Sequence, residues 1–293
     1  MSAYKSILVP VGDARSAAVP LDTALRLANR FASHVTALHV RFDPTTAVPL
    51  VGEGMSGAMI DEMIGRAETQ AGERAAEARA AFEAACERLE VARLGQPPAT
   101  GASAEWAETV GREDETVAWR GRLSDLLVFG HPGGEAEAPA MLTMNDALMA
   151  SGRPLLLCPA EPAAPPEALG SSIAIAWNGS AEAARAVGWA MPLLRHARTV
   201  TVLAVSEHSG RPVDAPAGEL AAYLAWNGVT AATSVVQASA SHAGEELLRQ
   251  SRLCGADLLV MGAYTHSRLR QLILGGVTRH VIAHAPLHVL MCH

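Results

Sequence analysis

The chain repeats itself once, and that limits its fold more than any other feature. Ser124-Asp-Leu-Leu-Val-Phe-Gly130 recurs as Ala256-Asp-Leu-Leu-Val-Met-Gly262, an offset of 132 residues. The same offset lays Gly152-Arg-Pro154-Leu-Leu-Leu-Cys158 on His284-Ala-Pro286-Leu-His-Val-Leu290. Nearer the start, Ser6-Ile-Leu-Val-Pro10 matches Ser172-Ile-Ala-Ile-Ala176 at an offset of 166 residues. The first copy therefore carries 34 extra residues in its middle, the difference between the two offsets. A unit this long signals duplicated domains, because solenoid repeats run to roughly 20–50 residues. The length of 293 residues agrees with two domains, at roughly 100–200 residues each. The expected boundaries are residues 1–158 and 171–293, with 159–170 between them as a linker. That linker holds Pro159, Pro162, Pro165 and Pro166, and neither a helix nor a central strand accommodates so many prolines.

Each copy alternates strand-type and helix-type segments. In the second copy the strands are expected at Ser172–Trp177, Thr199–Val205, Val229–Gln237, Asp257–Met261 and Leu287–Cys292. Helices are expected at Ser180–His196, Ala217–Trp226, Ala243–Cys254 and Val277–His284, with Ser180 as an N-cap. The first copy runs in the same order: Tyr4–Val11, Ser16–Ala32, Val35–Arg41, Ile60–Glu90, Ala102–Val110, Arg112–Gly121, Asp125–Phe129, Pro139–Ala150 and Pro154–Cys158. Its extra residues form a Gly-rich loop and a long helix with the stripe Ala71, Ala75, Ala78, Phe82, Ala85, Leu89. Strands joined by helical crossovers imply parallel pairing. The prediction is an α/β chain with two similar open parallel five-stranded sheets, helices on both faces of each, of the Rossmann-like kind. Ligands of such sheets bind beyond the carboxyl ends of the strands. Those ends are Pro10–Asp13, Ala176–Ser180, Gly130–Met144 and Gly262–Thr278.

Composition excludes several classes. Hydrophobic residues make up 49% and charged residues 18%, enough apolar material for a core in each half. The net charge of −7 argues against a nucleic-acid partner, which calls for a basic face. No apolar run approaches the roughly 18–20 residues of a membrane span, so no membrane is expected. The run Ile7–Val11 is too short for the core of a signal peptide. Cys86, Cys158, Cys254 and Cys292 are scattered, as in a reduced cytoplasmic protein.

Gly262-Ala-Tyr-Thr-His-Ser-Arg-Leu-Arg-Gln-Leu-Ile-Leu-Gly275-Gly276-Val277, followed by His284-Ala-Pro286, resembles the C-terminal signature of the universal stress protein family, G-x2-G-x9-G-[ST]. Two such repeats in one chain resemble its tandem members. The resemblance implies a five-stranded parallel sheet of universal stress protein type, pairing of domains through their last strands as an intramolecular pseudo-dimer, and an adenine-nucleotide site where the motif is kept. It assigns ATP, ADP or AMP in the second domain to Ala176, Trp177, Asn178, Val205, Met261, Gly262, Thr265, Arg268, Gly275, Gly276 and Val277. The physics is direct. Glycine at a strand end admits close approach, and the free N–H groups of a helix start attract phosphate. Arg268 and Arg270 supply charge.

The match has gaps. Thr265 stands where the second glycine belongs, and a β-branched residue resists positive φ. Gly276 stands where Ser or Thr belongs, which forfeits a hydrogen bond to a charged group, about 1.5–3 kcal/mol. Asn178 replaces the family's usual Asp, and Thr278 has the wrong spacing to substitute for the missing hydroxyl. In the first domain Gly130-His-Pro-Gly133 keeps part of the motif, but Thr143-Met144 replaces the Gly-Ser pair. The intervening segment carries Glu135 and Glu137, and Asp13 reads as a helix N-cap. No triphosphate site is expected there.

Other patterns carry less. Gly52-Glu-Gly54-Met-Ser-Gly57 has dinucleotide-loop spacing but does not follow a strand directly. His280 and His284 share a helix face and read as a helix C-terminal pair rather than a metal site, so no metal is expected. No acid–base pair can be assigned, and no enzyme is expected beyond weak ATPase activity. The leading reading is a cytoplasmic tandem stress-response binding module with at most one weakened ATP/ADP site, in the second domain. Its rivals are a nucleotide-free protein-interaction scaffold and a slow ATPase or nucleotide-dependent transferase. A homodimer and unidentified protein partners are compatible with each.

Overall fold

The computed structural model describes residues 4–42, 57–97, 100–132, 138–162, 164–206, 214–237, 242–264 and 276–293. The strands are β1 (Ser6–Pro10), β2 (His34–Arg41), β3 (Ala92–Arg93), β4 (Ser103–Val110), β5 (Leu126–Phe129), β6 (Leu155–Leu157), β7 (Ser172–Trp177), β8 (Thr199–Ser206), β9 (Ala232–Gln237), β10 (Leu258–Gly262) and β11 (His288–Cys292). The α-helices are α1 (Ala14–Phe31), α2 (Gly57–Arg88), α3 (Glu113–Gly121), α4 (Ala138–Ala150), α5 (Ala181–Leu194), α6 (Asp214–Trp226), α7 (Ala243–Leu253) and α8 (Gly276–His284). All the expected elements are present.

The expectation of two separate five-stranded sheets is overturned. All eleven strands form one sheet, in the order β3-β4-β2-β1-β5-β6-β11-β10-β7-β8-β9. Neighbours within each half are parallel. At the junction β6 pairs with β11 antiparallel, Leu156 opposite Leu290, so the sheet is mixed. Both strands are wholly buried, and left apart each would be an apolar edge with unpaired backbone groups. The first half also has an extra strand. β3 is two residues long and pairs Ala92 with Ser103 and Arg93 with Ala104.

Helices cover both faces. One core layer takes its apolar residues from α1, α2, α5 and α6, the other from α3, α4, α7 and α8, and each runs across both halves. The α2 stripe packs as its spacing demands, with Ala75, Ala78, Phe82 and Ala85 buried. Asp13 is the N-cap of α1, accepting from the N–H groups of Arg15 and Ser16, and Ser180 Oγ caps α5 through Ala183 N–H.

The duplication persists at atomic detail. Asp125 accepts the N–H groups of Lys5 and Ser6 at 2.7 and 3.1 Å, fixing the start of β1. Asp257, 132 residues on, accepts those of Gly170, Ser171 and Ser172 at 2.6, 3.0 and 2.8 Å, fixing the start of β7. The four cysteines are free thiols, and burial pushes Cys86 up to about 11 and Cys158 up to about 12.

Candidate functional site

The sheet order β10-β7-β8 places a switch point between β7 and β10. The connection leaving β7 runs to β8 on one side, while β10 lies on the other. A crevice opens at such a point beyond the carboxyl ends. The predicted residues of the second half gather there. Ala176, next to last in β7, lies opposite Met261 of β10. Trp177 lies beside Ala204 of β8, and Gly262 beside Cys292 of β11. Val205 belongs to β8, one residue past Ala204. Gly276 and Val277 open α8. Thr265, Arg268, Arg270, His266 and Gly275 lie outside the described residues, as do residues 51–56 of the glycine-rich loop in the first half.

Gly262 is required by packing. A Cβ there would stand 2.5 Å from Ala183 N and 2.8 Å from the carbonyl carbon of Glu182. The amino end of α5 thus fills the space that the motif was expected to leave for a ligand. Gly130 does the same in the first half, where a Cβ would lie 2.9 Å from the carbonyl oxygen of Ser16. Glu182 and Ser16 are equivalent at the 166-residue offset.

Several contacts at this edge carry no sequence signal. Asn178 Oδ1 accepts Ser180 N–H at 3.1 Å, which shapes the turn into α5. Glu182 pairs with Arg185 at 2.8 Å. Burial opposes ionisation of Glu182, yet backbone N–H, Arg185 and Ser180 together hold its carboxyl below the usual range. Arg185 also donates to the carbonyl of His293 at 3.0 Å. Thr278 is buried, and its hydroxyl oxygen takes the N–H of Tyr264 at 3.5 Å, so it faces inward. Tyr264 has φ 60°, an unusual value for a large side chain, and its phenol donates to Asn145 Oδ1 of α4 at 2.5 Å. Trp177 packs against the core, and its Nε1–H is buried without a hydrogen-bond partner among the described residues.

The matching edge of the first half is filled by its own side chains. His39 stands where the second half has Val205, at the 166-residue offset. It is buried, with Nδ1 2.6 Å from the carbonyl of Val11 and its ring stacked on Trp106 at 5.7 Å. Glu113 takes the Thr143 hydroxyl at 3.5 Å, and burial raises its carboxyl above the usual range. His280 and His284 stack at 4.4 Å, with His284 Nδ1 2.9 Å from the carbonyl of His280. No group of three or more metal-ligating side chains converges among the described residues. No helix among them is long and apolar enough to cross a membrane.

The doubly wound sheet defines an α/β protein of the Rossmann-like kind. Residues 171–293 match the model of the Universal stress protein family. The fold of the whole chain is similar to that of a universal stress protein from Archaeoglobus fulgidus DSM 4304, 17% identical, with a TM-score of 0.67 over 98% of this chain and 97% of that one. It is also similar to a functionally unknown protein from Pseudomonas aeruginosa PAO1, 16% identical, with a TM-score of 0.59 over 99% of this chain and 92% of that one. No curated protein matches the chain.

Proposed function

We propose that the chain is a cytoplasmic, two-domain stress-response binding module whose second domain, residues 171–293, holds one adenine nucleotide, ATP, ADP or AMP. The observation that carries this reading is the meeting of β7 and β10 at the switch point, in the half that matches the family. The connection from β10 leads on to the amino end of α8, whose first turn has no acidic residue. In this reading Ala176, Trp177, Asn178 and Val205 border the base and ribose. Met261 and Gly262 form the floor. Thr265, Arg268, Gly275, Gly276 and Val277 serve the phosphates. The nucleotide is a ligand rather than a substrate, and no turnover is expected.

Two features make the site weak. The ionised Glu182 stands against Gly262 and repels phosphate, and the Thr278 hydroxyl is engaged with Tyr264. These same features favour the second reading, a nucleotide-free scaffold for protein partners. Calorimetric titration of ATP separates the two. Binding to the second domain predicts a heat that Arg268→Ala diminishes. Changing Thr265 to Gly together with Gly276 to Ser should tighten it roughly tenfold or more. No heat in either the parent or this restored variant supports the scaffold.

A further inference from the structure

The second half ends its side of the sheet on β9. β9 pairs with β8 on one side and, among the described residues, with no strand on the other. Successive residues of a strand direct their backbone groups to alternate sides, so half of β9 presents N–H and C=O groups outward. Its sequence, Ala232-Thr-Ser-Val-Val-Gln237, has no charge and no proline. Natural edges are ordinarily blunted by charge, proline, a bulge or a cover.

The opposite edge of the same sheet shows such devices. β3 covers the start of β4. Along that edge Arg93 pairs with Glu83 at 2.9 Å, Arg41 with Glu108 at 2.8 Å, and Glu105 takes the Thr36 hydroxyl at 3.0 Å. The extra residues of the first half lie between β2 and β4, on that finished side, and the second half lacks them. The surface of β9 and of the neighbouring α6 instead exposes large apolar side chains. Trp226 is 91% exposed, Tyr223 50% and Val235 41%.

We propose that β9 is a homodimer contact, to which a second copy of this chain adds its own β9 antiparallel about a two-fold axis perpendicular to the sheet. Three observations select a second copy as the occupant. The chain already joins its two halves in this manner, β6 against β11, edge to edge and antiparallel. A pairing centred on Ser234 sets Thr233 opposite Val235, and one centred on Val235 sets it opposite itself. Within Ala232–Gln237 every opposed residue is uncharged, so no like charges meet. Each chain carries a net charge of −7, so contact between two copies is least opposed where the contacting strand adds no charge of its own, as here. An isologous contact uses the same patch twice, so one neutral strand suffices.

Sedimentation equilibrium over a dilution series tests the proposal on the full chain. The expected mass at high concentration is double the 30.6 kDa of the chain. Val235→Lys puts charge on the edge at an exposed position, and should weaken the dimer roughly tenfold or more while circular dichroism stays unchanged. Trp226→Ser should weaken it as well, whereas Leu123→Lys, on the exposed surface of the first half, should leave it intact. A chain that is monomeric at every concentration overturns the proposal. So does a dimer whose strength survives both Val235→Lys and Trp226→Ser.

Discussion

At the scale of single residues, the glycines at the strand ends have two separable roles, one of which exists without any ligand. Gly262 and Gly130 each admit the first turn of a helix, and the residues they admit are equivalent in the two copies. The first copy retains this glycine although its phosphate motif is degraded, so packing alone accounts for it. Gly262→Ala should therefore destabilise the nucleotide-free chain by about 1–3 kcal/mol, since Cβ must displace backbone. Urea unfolding without nucleotide measures this; an unchanged midpoint would return the residue to a purely ligand role. His288 offers a second test. It is buried in β11 with Nε2 3.2 Å from Thr23 Oγ1 of α1, and burial lowers its pKa to about 4. Unfolded, the imidazole titrates near 6.5, so between these values the unfolded chain binds more protons. The contribution of neutral His288 is thus fully present above about pH 6.5 and is lost as pH falls towards about 4, on the order of 3 kcal/mol. The expected result is a difference in unfolding free energy between wild type and His288→Leu that changes across this window. A constant difference would rule the linkage out.

At the scale of elements, the order of strands and helices was legible because each long element carries its own period. The strand β3 was not, because its two residues are a strand only through pairing with Ser103 and Ala104. The pairing of the two end strands, Pro154–Cys158 and Leu287–Cys292, was expected from the family resemblance and from their apolar edges, not from any local period. That they are neighbours follows from a contact more than a hundred residues apart in the chain, which no local period reports. The motif marked the right sheet edge. It did not show that α5 occupies the space beside Gly262, nor that His39 and Trp106 fill the matching edge of the first half. Least legible was Tyr264, which ties the exit of β10 to α4 of the other half. Its positive φ runs against the preference of a large side chain, and its phenol and N–H bonds hold it there. A double-mutant cycle on Tyr264→Phe and Asn145→Ala should give a coupling of about 1 kcal/mol in unfolding free energy. Additive single effects would show that the bond contributes no coupling between these elements.

At the scale of the whole molecule, the two halves cannot be treated as beads on a linker, because the sheet and both core layers cross the junction. Leu155, Leu156 and Leu157 of β6 face Met291, Leu290 and Val289 of β11, and all six are buried. Further contacts tie the first half to the second half and to the linker. Tyr4 donates to the carbonyl of Trp189 at 2.7 Å, Arg30 to that of Leu169 at 2.9 Å, and Arg26 pairs with Glu167 at 2.8 Å. Expressed alone, residues 1–158 and 171–293 would each present an apolar parallel-sheet edge to water, the template for edge-to-edge aggregation. Each half alone should be insoluble or self-associated. Produced together as separate chains, they should recover one soluble complex, because the edge each lacks is supplied by the other. Circular dichroism and light scattering on the separate and mixed halves decide the matter. Two soluble, stable monomers that ignore each other would show that β6 and β11 merely touch, and that the duplicated units fold as independently as their sequences repeat.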